Sequence, residues 1–125
     1  MATTPRFGLL PSDDNTGRTQ TWDYQAPAYA STQAIITQAG NTIVNMALTG
    51  ACAITIAVGS STTQPYAGDK IQFIFIPNGS SQTVTFSTGF AVTASTIVCT
   101  GNKYASVDFT FNGTAWQETA RSITV

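Results

Sequence analysis

Histidine is absent from this chain of 125 residues, so the commonest general base and the commonest transition-metal ligand are both missing. Among the six acidic residues only Asp13 and Asp14 are adjacent, in a segment without strand or helix pattern. A paired-carboxylate hydrolase needs two acids that a rigid scaffold holds apart, and a calcium loop needs alternating acidic ligands. No glycine-rich phosphate loop is present. We therefore expect no enzymatic activity, no catalytic residues, no metal site and no cofactor.

Charge is scarce as well, because charged residues make up only 9% of the chain, against roughly 25% in ordinary soluble domains. The net charge is −1 and no run of basic residues occurs, so we expect no nucleic-acid partner. No apolar run approaches the length of a membrane span, and no secretory signal is visible. These features predict synthesis in the cytoplasm and no membrane partner.

Cysteine occurs twice, as Cys52 and Cys99, each inside an apolar strand pattern. The simpler interpretation is a pair of buried free thiols that act as small hydrophobic side chains. A disulfide is the alternative if the two strands are neighbours, since the spacing in the sequence does not decide between the two states.

From residue 32 onward, short runs rich in Thr, Val, Ile and Phe alternate with Gly and Asn turns, at the spacing of a sandwich or barrel. Asn78-Gly79 and Asn112-Gly113 are strong hairpin signals. No apolar helical period persists. We predict an all-β fold over residues 32–125, a jelly-roll-like antiparallel β-sandwich of about eight strands. The predicted strands are residues 33–38, 41–48, 52–58, 70–76, 82–87, a broken strand over 91–99, 103–111 and 115–121.

The alternation within these strands separates core positions from surface positions. The predicted core consists of Val44, Leu48, Ile54, Ile56, Ile71, Phe73, Phe75, Val84, Phe86, Val107, Phe109, Phe111 and Trp116. The run 70–76 breaks the rule, because both faces of its second half are apolar. A strand of this kind is covered on both sides, either by another subunit or by the chain's own arm. We assign Ile74 and Ile76 to a subunit interface and expect a homotrimer, whose cyclic symmetry buries the same patch three times.

Residues 1–31 have a different character from the rest of the chain. They lack strand periodicity, are rich in Pro, Thr and Gln, and carry five of the eleven charges. Such a segment is either disordered alone or ordered by contact, and its spaced aromatic side chains favour contact. We therefore predict an extended N-terminal arm that binds another protein through Arg6, Phe7, Arg18, Trp22, Tyr24 and Tyr29.

Three runs between Gly68 and Arg121 stand out as a set. They are Gly68-Asp69-Lys70 before an apolar strand, Val84-Thr85-Phe86-Ser87-Thr88-Gly89-Phe90, and Phe109-Thr110-Phe111-Asn112-Gly113-Thr114-Ala115-Trp116-Gln117-Glu118-Thr119-Ala120-Arg121. Together they resemble a recurrent module of structural proteins in the virions of tailed bacteriophages. The module covers somewhat under half of the chain, and its terminal run is the specific part.

The resemblance implies a virion protein, commonly trimeric, of one of several kinds: a capsid decoration (cement) protein, a head fibre, or a tail-fibre or baseplate domain. A small domain with an arm and without a fibre shaft suits decoration. We therefore expect a protein that binds the major capsid protein on the outer capsid surface as a homotrimer and stabilises the head by bridging capsomers. The alternative is a tail-fibre, head-fibre or baseplate domain that binds a host receptor or glycan.

Overall fold

Ten strands arranged in two sheets make up the fold. The computed structural model describes residues 22–59 and 65–124, and it contains no helix within these ranges. The strands are β1 (Trp22–Gln25), β2 (Thr32–Ile35), β3 (Asn41–Leu48), β4 (Cys52–Ile56), β5 (Lys70–Pro77), β6 (Gln82–Phe86), β7 (Phe90–Ala91), β8 (Thr96–Cys99), β9 (Ala105–Phe111) and β10 (Trp116–Ile123). The prediction of an all-β fold is confirmed, and the two sheets pack on each other as in a β-sandwich.

The first six strands alternate between the two sheets. The six-stranded sheet has the order β1-β3-β5-β9-β10-β7, and the four-stranded sheet has the order β2-β4-β6-β8. Each strand of the first half therefore returns to its own sheet only after the chain has passed through the other sheet. Because the chain then re-enters in the same direction, β1, β3 and β5 pair in parallel, as do β2, β4 and β6.

The expectation of antiparallel pairing throughout is wrong, since five of the eight strand pairings are parallel and the sheets are mixed. Jelly-roll connectivity is not confirmed. The physical reason is that period-two alternation is the same in parallel and antiparallel strands. The turn at Asn78-Gly79 illustrates the error. It was predicted to close a hairpin, but it carries the chain from β5 in one sheet to β6 in the other.

The hydrophobic core lies between the sheets. All thirteen predicted core residues are buried, so that prediction is confirmed. Phe73 is the centre of an aromatic cluster, with the rings of Phe75, Phe86, Phe90 and Phe109 at centroid distances of 5.8–5.9 Å from its own. Since Phe73 and Phe109 belong to one sheet and Phe86 to the other, these contacts hold the two layers together.

Both cysteines are buried and free, which confirms the simpler interpretation. Cys52 lies opposite Val84 of β6, and Cys99 lies opposite Gln82 of the same strand. An intervening strand therefore places the strands of the two cysteines about 9–10 Å apart, and the offset from Gln82 to Val84 adds to that separation. A disulfide requires Cα atoms closer than about 7 Å, so the sheet order itself keeps the thiols apart.

Candidate functional site

The most distinctive surface is the outer face of the six-stranded sheet, the face that points away from the core. Strand register arranges its side chains in rows. The first row runs Trp22, Asn41, Lys70 and Thr110 across β1, β3, β5 and β9. Further rows follow in the same order of strands: Tyr24, Ile43, Gln72 and Asp108, then Asn45, Ile74 and Ser106, and then Ala47 and Ile76.

Polar side chains dominate the end of this face at the first two rows. A groove of about 430 Å³ lies there, lined by residues of β1, β3, β5, β9 and β10. We call it the polar groove. Its side chains on the outer face are Trp22, Asn41, Ile43, Lys70, Gln72, Asp108, Thr110 and Thr119. Its volume lies within the range of about 300–1,000 Å³ that is typical of small-molecule sites.

A β-bulge shapes one side of the polar groove. The register of β10 against β9 shifts between Glu118 and Ala120, which leaves Thr119 as the extra residue. The Thr119 hydroxyl donates a hydrogen bond of 3.2 Å to the backbone carbonyl of Asp108. Bulges of this kind redirect a side chain and are frequent beside binding sites. The bulge thus accounts for the place of Thr119 in the groove lining.

One carboxylate in the polar groove has an unsatisfied oxygen. Oδ1 of Asp108 is buried and has no hydrogen-bond partner among the residues that the structure describes. Nearby, the Lys70 ammonium contacts the Thr110 hydroxyl at 3.5 Å, a long distance for a hydrogen bond. Because a buried acceptor without a donor costs free energy, Asp108 gains from a turn of its carboxylate that brings Oδ1 to a donor in the groove.

The other end of the outer face is apolar. Ile74 and Ile76 of β5 point outward and are half-buried, next to Ala47 of β3. We call these three residues the apolar patch. The sequence prediction that β5 is apolar on both faces is confirmed by its burial pattern. Its inward residues lie in the core, whereas no second layer of the described residues covers the apolar patch. Contact of Ile74 and Ile76 with another subunit stays a prediction.

Strand β1 forms an edge of the six-stranded sheet and was missed by the sequence analysis. Its side chains Trp22 and Tyr24 are 65% and 63% exposed. The Asn45 side chain donates to the Tyr24 hydroxyl at 3.2 Å, and the Gln25 side chain donates to the carbonyl of Ile36 at 2.9 Å. Part of the predicted arm is thus integrated into the domain, and the sheet begins before the predicted boundary at residue 31. The signal was faint because β1 has only four residues, of which two are exposed aromatic side chains.

The other predicted arm residues fall into two groups. Arg6, Phe7 and Arg18 lie outside the described residues. Tyr29 packs against the core, and its hydroxyl donates a hydrogen bond of 2.6 Å to the carbonyl of Ala51. A Cβ atom at Gly50 would come within 2.6 Å of that hydroxyl, so the turn after β3 requires glycine for this contact. Tyr29 therefore has a partner in its own domain, and its contact with another protein stays a prediction.

The terminal run of the motif set forms the hairpin of β9 and β10. The Asn112 side chain accepts hydrogen bonds of 2.9 Å from the backbone amides of Thr114 and Ala115, and Gly113 adopts a φ of +99°. The indole N–H of Trp116 donates to the carbonyl of Ala57 at 3.1 Å. These contacts explain the order Asn-Gly-Thr-x-Trp as turn and core chemistry.

Glu118 and Arg121 complete the hairpin as an ion pair with two short contacts, Nε to Oε2 at 2.6 Å and Nη2 to Oε1 at 2.7 Å. Arg121 also donates to the carbonyls of Ala94 and Thr96, each at 3.0 Å. The hydrogen bond from Arg121 holds the pKa of Glu118 below its ordinary value. The pair therefore holds the connection between β7 and β8, two strands that belong to opposite sheets.

The described residues contain no cluster of three or more His, Cys, Asp or Glu side chains that could hold a metal ion. They also include no helix of the length and apolarity that a membrane span requires. Comparison of the chain with protein-family models and with curated proteins gave no match.

Proposed function

We propose that this chain is a non-enzymatic decoration (cement) protein of a tailed-phage capsid. It binds the major capsid protein on the outer surface of the head as a homotrimer and stabilises the head by bridging capsomers. The proposal rests on two grounds. The first is that the stretch from Gly68 to Arg121 resembles a module of tailed-phage virion proteins, and the second is the surface of the domain.

The observation that carries the proposal is the apolar patch. Strand β5 buries Ile71, Phe73 and Phe75 in the core and still presents Ile74 and Ile76 on its other face. Each large aliphatic side chain that leaves water contributes about 1.5–3 kcal/mol. The patch supports a trimer, because a closed ring of three copies would remove the same apolar surface from water three times.

Attachment to the head follows from avidity. A trimer presents three copies of every capsid contact, so the second and third contacts form within one complex. The exposed side chains of Trp22 and Tyr24 on the edge strand β1 are suited to such contacts, because aromatic residues contribute strongly at protein interfaces. Addition of a strand at this edge is a recognised mode of attachment.

The test uses capsids that lack their decoration protein. The full chain is expected to sediment with these capsids and to raise the temperature at which the heads rupture. A variant that lacks residues 2–20 retains β1 with Trp22 and Tyr24, so it is expected to fold and to keep part of its contact with the capsid. It is expected to bind at least about tenfold more weakly, because each of the three subunits loses the proposed contacts of Arg6, Phe7 and Arg18. Unchanged occupancy by this variant would show that attachment runs through the sandwich.

The alternative is a tail-fibre, head-fibre or baseplate domain that binds a host receptor or glycan. The same resemblance supports this role, and the polar groove beside Trp22 favours a ligand-binding function. The two roles differ in location. Sedimentation of the chain with isolated tails, and not with capsids, would favour the alternative and would contradict decoration.

A further inference from the structure

The polar groove differs from the apolar patch in the chemistry that it offers a partner. It lies on the face of the sheet, where the backbone groups of β3, β5 and β9 already pair with neighbouring strands. On these three strands a ligand is therefore recognised by side chains. Apart from Trp22 and Ile43, the outward side chains carry amide, hydroxyl, ammonium or carboxylate groups.

The charges of the groove select against an ionic ligand. Lys70 and Asp108 occupy neighbouring rows on adjacent strands, so the groove carries one side chain of each charge. An anion would gain from Lys70 and lose against Asp108, and a cation would experience the reverse. A neutral ligand with several hydroxyl groups fits better, because hydroxyls donate to Asp108 and accept from Lys70 and Gln72 without adding charge.

Trp22 supplies the apolar part of the site. Its side chain is 65% exposed at the rim of the groove, so an indole face is available to a flat apolar surface. A pyranose ring presents such a surface on its C–H face and hydroxyl groups around its edge. An aromatic platform with a few convergent polar groups is the arrangement that a small polar ligand requires.

We infer that the polar groove binds a neutral saccharide, with the sugar ring on Trp22 and its hydroxyl groups on Asp108, Gln72 and Lys70. Oδ1 of Asp108, which has no hydrogen-bond partner within residues 22–59 and 65–124, gains one when the carboxylate turns toward a sugar hydroxyl. The inference does not depend on the proposed capsid function, and it names the ligand class and the residues for the glycan binding that the alternative role includes.

The two tryptophans of the chain provide a direct measurement. Trp116 is fully buried, so collisional quenching of fluorescence by acrylamide reports mainly on Trp22. Maltose, lactose and methyl α-mannoside, at millimolar concentrations, are the probes. At least one of them is expected to protect Trp22 from quenching and to shift its emission to shorter wavelength, whereas sialyllactose is expected to bind no more tightly than lactose.

Variants locate the site. Asp108→Asn keeps the size of the side chain and is expected to weaken saccharide binding about tenfold or more, since a hydrogen bond to a charged group is lost. Trp22→Ala is expected to abolish binding as measured by saturation-transfer NMR with the same sugars. Tyr24→Ala is the matched control, because Tyr24 lies on the same strand with similar exposure but outside the groove lining. The saccharide affinity of this variant is expected to equal that of the parent.

Absence of protection by all three neutral sugars would overturn the inference, as would unchanged binding in Asp108→Asn or binding of sialyllactose alone. Failure here would leave the capsid proposal intact, because that proposal is tested by sedimentation and depends on the apolar patch and the N-terminal segment. Loss of capsid binding with intact sugar binding would overturn decoration and leave the groove as a saccharide site.

Discussion

The two outer faces of the sandwich have the same strand geometry but different side chains. The outward positions of the four-stranded sheet are occupied by small residues, namely Thr32, Ala34, Ala53, Thr55, Thr83, Thr85, Thr96 and Val98. The outer face of the six-stranded sheet instead presents an indole, three isoleucines and a carboxylate with an unsatisfied oxygen. Threonine hydroxyls are satisfied by water, whereas large apolar groups and a buried acceptor gain from a partner. A binding partner is therefore expected on the outer face of the six-stranded sheet.

The largest expected effect concerns the core between these faces. Truncation of Phe73 to Ala removes a ring that contacts four others and is expected to lower the free energy of unfolding by about 3–5 kcal/mol. The control is Thr85→Ala, on the outer face of the four-stranded sheet, which should change the free energy of unfolding by less than about 0.5 kcal/mol. Urea denaturation measures both. Similar losses for the two variants would contradict the contrast between core and outer face.

The next effect concerns the ion pair that fastens the β7–β8 connection. Arg121→Met should lower the free energy of unfolding by about 1–3 kcal/mol, because it leaves the largely buried Glu118 without its partner. The pKa of Glu118 is lowered in the folded state, so its contribution is present above the pKa of the unfolded chain and is lost as the pH falls through the folded value. Thermal melts from pH 7 to pH 3 should show a fall in the melting temperature of the parent, and this fall should be smaller in Arg121→Met.

A third experiment tests whether the apolar patch of the six-stranded sheet is a subunit interface. The double variant Ile74→Ser with Ile76→Ser is expected to leave the fold intact and to convert the proposed trimer to a monomer, because the apolar patch no longer gains from burial. Val98→Ser removes an exposed apolar side chain from the other face and is expected to leave the trimer unchanged. Light scattering at micromolar concentration measures the mass. A monomeric parent, or dissociation caused by Val98→Ser, would contradict the assignment of the interface.

The core could be predicted from the sequence because alternation alone decides which side chains face inward. Phe109 and Phe111 were recognised in this way, and so was the double apolar character of β5 at Ile74 and Ile76. Strand pairing could not be predicted, since the alternation of a strand carries no information on the direction of its neighbour. The turn at Asn78-Gly79 shows the limit, because the same dipeptide serves a hairpin and a crossing between sheets.

The candidate site was only partly visible in the sequence. Trp22 was predicted to bind another protein as part of the N-terminal arm, but its position beside the polar groove depends on the parallel pairing of β1 with β3. Asp108 alternates with the core residues Val107 and Phe109, but its neighbours Lys70 and Gln72 are distant in the sequence. A site built across the rows of a sheet takes one residue from each of several strands, so no local motif reveals it.

The smallest effect is expected for the cysteines, and it appears only in alkaline solution. Burial raises the pKa of the Cys99 thiol from 9.0 to about 11. A raised pKa means that the folded state holds the proton more tightly, so this contribution to stability is complete below pH 9 and is lost as the pH rises toward 11. Cys99→Ala should therefore lose less stability than the parent between pH 8 and pH 11. Reducing agent should leave the melting temperature of the parent unchanged, because the two thiols are free and a strand apart. A melting temperature that falls on reduction would show a cross-link between chains through these cysteines.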